Sequence, residues 1–276
     1  MEWIEFIKAA ALGIVQGITE WLPISSTGHM ILLNEFFTLN MSKDFISVFL
    51  VVVQLGSILA VCLLYFDKLN PFSRRKDGLQ KRETISLWAK VIVAIIPAGI
   101  IGVLFEEDID RIFFNVPTIA IALIFYGILF IFIERINKRR SFKINSFEKM
   151  SFPTALLIGC FQVLSLIPGT SRSGSTILGA SILGTSRPVA AEFSFFLAIP
   201  VMFGASLLRL LKYGLSFSGF EWGVLLVGSV VSFFVSIVAI KFLVSYIKKH
   251  DFTIFGWYRI VLGVLVLFYF SLLNNR

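Results

Sequence analysis

The chain has 276 residues, 57% hydrophobic and 15% charged, with a mean hydropathy of +0.87 and a formal net charge of +8. A soluble domain would carry roughly 25% charge, so the composition excludes a soluble globular fold and points to a polytopic helical membrane protein. The surplus of Lys and Arg does not indicate nucleic acid, because it lies in short loops between apolar segments, where the positive-inside rule puts it.

The N-terminal stretch MEWIEFIKAA has acids where a signal peptide carries bases, so the first apolar segment is expected to be retained. That segment runs from Trp3 to Phe37 and is broken at Pro23, then by Ser25, Ser26, Thr27, Gly28 and His29. Full spans follow at about 46–66, 87–105 and 116–134. A second interrupted region runs from Phe152 to Leu183, broken from Pro168 to Ser175, and spans at about 192–211, 222–243 and 254–273 complete the chain. Each full span is long enough for a hydrocarbon core of about 30 Å. Polar, irregular backbone at that depth needs protein or a water-filled cavity around it. The expected fold is therefore all-α and polytopic, with six transmembrane helices plus two re-entrant helix–loop–helix hairpins, in one integral membrane domain over 1–276.

Loop charges set the expected orientation. The loops at 67–86 and 135–150 are basic, and Lys248 and Lys249 mark a third. The connection after the second span is acidic instead, with Glu106, Glu107, Asp108 and Asp110 read as a solvated outer loop. With the basic loops in the cytoplasm, both termini lie outside.

The chain also repeats itself. GIVQGITEWLPISSTG, starting at Gly13, aligns with GCFQVLSLIPGTSRSG, starting at Gly159, which pairs Gln16 with Gln162, Ser25 with Ser171 and Gly28 with Gly174. Halves of about 1–140 and 150–276 then each supply one hairpin and three spans. An odd number of spans inverts the second half, an architecture common in transporters, and the two hairpin tips can meet near the midplane.

Chemistry concentrates in those tips. Glu20 is an ionisable group inside an apolar segment, four residues from Gln16 and so on the same helical face. It is a candidate catalytic group, weighed against simple pairing with Arg172. Ser25, Ser26 and Thr27 suit a helix N-cap, whose free N–H groups and dipole favour an anion. Capping does not explain His29, whose imidazole suits proton transfer. In PGTSRSGST, Gly169 and Gly174 allow close backbone approach, Thr170, Ser171 and Ser173 supply hydroxyls, and Arg172 offers a planar fork for phosphate oxygens. Arg187 and Glu192 are read as flanking a helix start, His250 as a loop residue, and Cys62 and Cys160 as small buried hydrophobes.

The segments QGITEWLPISSTGHM, FLVVVQLGSILAV, PGTSRSGSTI and FSFFLAIP, in this order, resemble the bacterial undecaprenyl-diphosphate phosphatase family, also called the bacitracin-resistance proteins. The resemblance covers essentially the whole chain. It implies hydrolysis of undecaprenyl diphosphate to undecaprenyl phosphate and inorganic phosphate at the bacterial cell membrane, recycling the lipid carrier of cell-wall synthesis, with the site opening to the outer face. It carries functional roles onto Gln16, Glu20, Ser26, Thr27, His29, Ser171, Arg172 and Ser173. It also implies a divalent cation, Mg²⁺ or Ca²⁺, for which Glu20 is the candidate ligand. The family pattern allows Glu or Gln at the first of these positions, and Gln16 removes a carboxylate pair.

Ser26 attacking with Glu20 or His29 handling protons is the leading mechanism, and His29 or water as nucleophile stays open. The partners expected are a polyprenyl diphosphate and membrane lipids, with a homodimer left open. Acid-phosphatase-like lipid phosphatases need a second histidine six residues after their Arg; Leu178 and Phe193 occupy those positions here, which excludes that mechanism. A lipid flippase or anion transporter using the same midplane site is the rival without chemistry.

Overall fold

The computed structural model describes residues 2–138, 140–214 and 216–274. The helices are α1 (Glu2–Thr19), α2 (Ser26–Phe36), α3 (Lys43–Leu64), α4 (Phe66–Leu69), α5 (Gly78–Phe113), α6 (Val116–Asn137), α7 (Phe152–Val163), α8 (Arg172–Ile182), α9 (Arg187–Tyr213), α10 (Gly219–Ile247) and α11 (Thr253–Asn274). A 3₁₀ turn, Leu164–Leu166, extends α7. No strand occurs among the described residues.

Six helices, α3, α5, α6, α9, α10 and α11, are long and apolar enough to cross a membrane. Their outward faces show what surrounds them. On α10, Val224, Leu225, Gly228, Ser232, Ser236 and Leu243 are buried, while Leu226, Val230, Phe234 and Val238 are exposed. A helix in water would be polar on that second face; one apolar all round faces lipid.

Small residues draw the helices together. A Cβ added at Gly13 would stand 2.5 Å from the Gly228 carbonyl oxygen, and one at Gly159 would stand 2.0 Å from that of Ala94. These contacts seat α1 on α10 and α7 on α5. Gly127 and Gly256 approach reciprocally, each blocked by the other's carbonyl oxygen at 2.7 Å, which joins α6 to α11. Close backbone approach of this kind drives helix association where lipid removes the hydrophobic incentive. A buried hydroxyl chain adds polar glue: Ser57 Oγ lies 2.7 Å from Ser232 Oγ and 3.0 Å from Ser236 Oγ.

Three expectations need correction. The acidic stretch from Glu107 to Asp110 is the last turns of α5, not a loop. Hydropathy falls there, but no breaker interrupts the helix until Asn115 caps α6. Arg187 and Glu192 do stand at the start of α9, but they act across the fold rather than at the helix end: Arg187 pairs with Glu134 of α6, and Glu192 pairs with Lys68 after α3. Cys160 is exposed rather than buried, on the apolar flank of α7. Arg139 lies outside the described residues.

Candidate functional site

The two interrupted segments end in the same local geometry. Ser25 precedes α2 with φ 71°, and Ser171 precedes α8 with φ 73°; they are the non-glycine residues with positive φ among those described. Each serine Oγ accepts a bond from a backbone N–H three residues on, Gly28 for Ser25 at 3.4 Å and Gly174 for Ser171 at 3.1 Å. Left-handed backbone at a serine costs roughly 1–3 kcal/mol and clusters at functional sites. Gly169 has φ +90°, and a Cβ there would stand 2.5 Å from the Ile119 carbonyl oxygen, so this turn requires glycine.

Between these loops lies a buried ion pair. Arg172 Nη2 donates to Glu20 Oε1 at 3.0 Å, with Glu20 buried and the Arg172 side chain only 10% exposed. Gln16 Nε2 donates to the other carboxylate oxygen at 2.8 Å. Arg172 Nη1 donates to the Ser194 carbonyl at 2.7 Å, and the Trp21 ring stands 5.9 Å from the guanidinium carbon. Arg172 Nε has no partner, so the fork keeps one donor in reserve. Ser173 Oγ lies 3.2 Å from Ser171 Oγ and donates to the Leu22 carbonyl at 3.2 Å, tying the second loop to the first.

A cleft of about 470 Å³ reaches this cluster. Its walls are mostly apolar (Leu12, Met30, Ile46, Leu50, Phe270), with Gln16, Ser26, Gln54 and Asn115 as polar groups. Gln16 therefore belongs to both the cleft wall and the ion-pair cluster.

The expected residues divide accordingly. Gln16, Glu20, Arg172, Ser171 and Ser173 come together, and Ser26 faces the cleft. Gly169 and Thr170 form the turn behind them, with the Thr170 hydroxyl buried. The Thr27 side chain lies outside the described ones. His29 is bonded elsewhere than to the ion pair: Nδ1 lies 2.7 Å from the Ser25 carbonyl oxygen and Nε2 lies 2.6 Å from the Tyr258 hydroxyl. A carbonyl can only accept, so Nδ1 carries a proton, and Nε2 accepts from Tyr258 when the ring is neutral and donates to it when charged.

Sequence reasoning missed two participants. Ser194 is the lone polar residue of FSFFLAIP, and its main chain holds Arg172. Arg259 lies in the last span, fully buried, with its guanidinium on the carbonyls of Pro23, Gly169 and Thr170. The rule that singled out Glu20, an ionisable group in an apolar run, applies equally to Arg259.

Fold and site together define a multi-pass membrane protein with a guanidinium–carboxylate pair buried beside an apolar cleft. Residues 9–265 match the family described as bacitracin resistance protein BacA. The chain is 65% identical over 270 residues to undecaprenyl-diphosphatase 1 of Clostridioides difficile (strain 630), covering 98% of both chains. It is 58% identical over 272 residues to undecaprenyl-diphosphatase of Desulfitobacterium hafniense (strain DSM 10664 / DCB-2), again 98% of both. The match to undecaprenyl-diphosphatase of Enterococcus faecalis (strain ATCC 700802 / V583) is 56% over 265 residues, 95% of this chain and 96% of that one. The chain belongs to the BacA bacitracin resistance protein family.

Proposed function

We propose that this protein is an undecaprenyl-diphosphate phosphatase, releasing inorganic phosphate and returning the carrier lipid as its monophosphate, with bacitracin resistance following as the family description implies. One observation carries the reading: Gln16 lines the apolar cleft and also donates to Glu20, so the cleft borders a guanidinium–carboxylate pair. An apolar cleft suits a prenyl tail, while Arg172 and the N-termini of α2 and α8 offer charge and N–H groups to a diphosphate.

In this reading Ser26, on the cleft wall, attacks the terminal phosphorus. The bond from that phosphorus to the bridging oxygen breaks, and undecaprenyl phosphate leaves. The Ser26 proton passes to Glu20, one hydrogen bond behind Gln16; water then hydrolyses the phosphoserine. Arg172 and the helix N-termini offset the charge that builds on the phosphoryl oxygens. His29 is the rival for proton transfer, at the cost of its bond to Tyr258. Among the described residues no cluster of three His, Cys, Asp or Glu could hold a cation, and Glu20 is already engaged by Arg172. In this reading Mg²⁺ or Ca²⁺, for which Glu20 is the candidate ligand, enters together with the diphosphate oxygens.

We also infer that the two halves form an inverted repeat whose interrupted segments are re-entrant. The helix pairings support this, since α1 of the first half packs on α10 of the second while α7 packs on α5. The matched φ values at Ser25 and Ser171 support it too. With the basic loops cytoplasmic, the cleft opens on the outer face, where Asn115 and Val116 lie.

Purified protein given a polyprenyl diphosphate should release phosphate with saturation in lipid concentration. Absence of release above a protein-free control would reject the enzyme reading.

A further inference from the structure

We propose that Arg259 is a positioning residue of this site: it fixes the spacing of the two serine-capped loops and leaves the site with surplus positive charge for the diphosphate. The inference deepens the phosphatase reading and rests on it.

Arg259 comes from α11 and is fully buried. Its Nη1 donates to the Pro23 carbonyl at 3.2 Å, and its Nη2 donates to the carbonyls of Gly169 at 2.9 Å and Thr170 at 2.8 Å. Pro23 sits two residues before Ser25, and Gly169 and Thr170 sit immediately before Ser171. One planar group thus bridges both loops at equivalent places. A Cβ added at Gly174 would stand 2.8 Å from Nη1, so the guanidinium also lies against the first turn of α8. The Tyr126 ring, 5.7 Å from its central carbon, closes another side.

The charge matters as much as the shape. All three hydrogen-bond acceptors of Arg259 are neutral carbonyls, which stabilise a desolvated cation without cancelling it. The Arg172 charge is already matched by Glu20. The site therefore holds two guanidiniums against one carboxylate, beside the positive ends of two helices. A multiply charged anion such as a diphosphate complements that imbalance. With three of its Nη hydrogens given to carbonyls and only Nε without a partner, Arg259 acts in this proposal through the loops and the field rather than by touching the reacting phosphorus.

The test compares Arg259→Lys, Arg259→Met and Arg172→Ala in purified protein, with thermal unfolding as the check on folding. Lys keeps the charge but cannot span two loops with a planar fork. Arg259→Lys should lower kcat at least about tenfold per folded molecule with KM changed less than about threefold, as expected for a misplaced site. Arg259→Met loses charge as well, so KM should rise too. A merely structural role would lower the unfolding temperature and leave kcat and KM of the folded fraction unchanged; that result, in Lys alone if Met does not fold, overturns the proposal. Full activity in Arg172→Ala would instead sink the phosphatase site itself, and this inference with it.

Discussion

Gln16 and Gln162 occupy matching places in the two similar segments and are both buried, yet Gln16 donates to Glu20 while neither polar atom of the Gln162 side chain has a partner. The difference lies four residues on, where the first segment has Glu20 and the second has Leu166. A buried unsatisfied amide costs about 1–3 kcal/mol. Gln162→Leu is therefore expected to raise the unfolding temperature in detergent, with turnover unchanged. Gln16→Leu should instead reduce phosphate release, because it frees Glu20 from one of its two partners.

The Arg172–Glu20 pair predicts losses in both activity and stability. Removing one partner leaves an uncompensated buried charge, worth about 3–5 kcal/mol. Arg172→Ala and Glu20→Ala should each cut turnover by at least about 10²-fold, the scale of a lost charge-stabilising or proton-transfer group. Phosphate-release kinetics on folded protein decide it; near-normal rates in either variant would reject the assignment.

Ser25 and Ser171 combine a capping hydroxyl with a conformation that glycine tolerates better. Replacing an N-cap Ser by Ala costs about 0.5–2 kcal/mol, by Gly only a few tenths. Glycine also relieves the positive φ. Ser171→Gly should thus be at least as stable as the parent, and Ser171→Ala clearly less stable, with the same order at position 25. Thermal unfolding of the four variants gives the ranking, and Ala above Gly at both sites would contradict it.

Helix approach gives a steric prediction. Gly159→Ala places a methyl about where the Ala94 carbonyl oxygen now sits, whereas a Cβ at Gly99 or Gly204 would meet nothing within 4 Å. Overpacking costs about 1–3 kcal/mol. Gly159→Ala should lower the unfolding temperature, while Gly99→Ala and Gly204→Ala should leave it unchanged or slightly raised.

The membrane class and both halves of the site could be read from the sequence because polar residues stand out in apolar runs. Pro23 to Ser25 and Pro168 to Ser171 lie in the breaks between helices, whereas Ser26 to His29 and Arg172 to Ser175, expected as part of the interruptions, form the first turns of α2 and α8. Arg259 carries the same signal as Glu20 but sits in an uninterrupted span, so nothing local shows that it meets a loop more than two hundred residues earlier. Ser194 contributes mainly a main-chain carbonyl, which side-chain chemistry does not reveal. The end of α5 was hidden for another reason: hydropathy reports where lipid stops, while helical hydrogen bonding continues past it. The Arg187–Glu134 and Lys68–Glu192 pairs join distant parts of the chain, and charge spacing along the sequence does not show such partners.

The left-handed serines have one more consequence. Because surrounding packing already holds both loops in a conformation they would not choose alone, the N–H groups at the starts of α2 and α8 are set before any ligand arrives. Binding then need not freeze a mobile loop, so little affinity is lost to ordering and more of the interaction can act on the charge that develops during reaction. The free and phosphate-bound proteins should accordingly share the same backbone at Ser25 and Ser171.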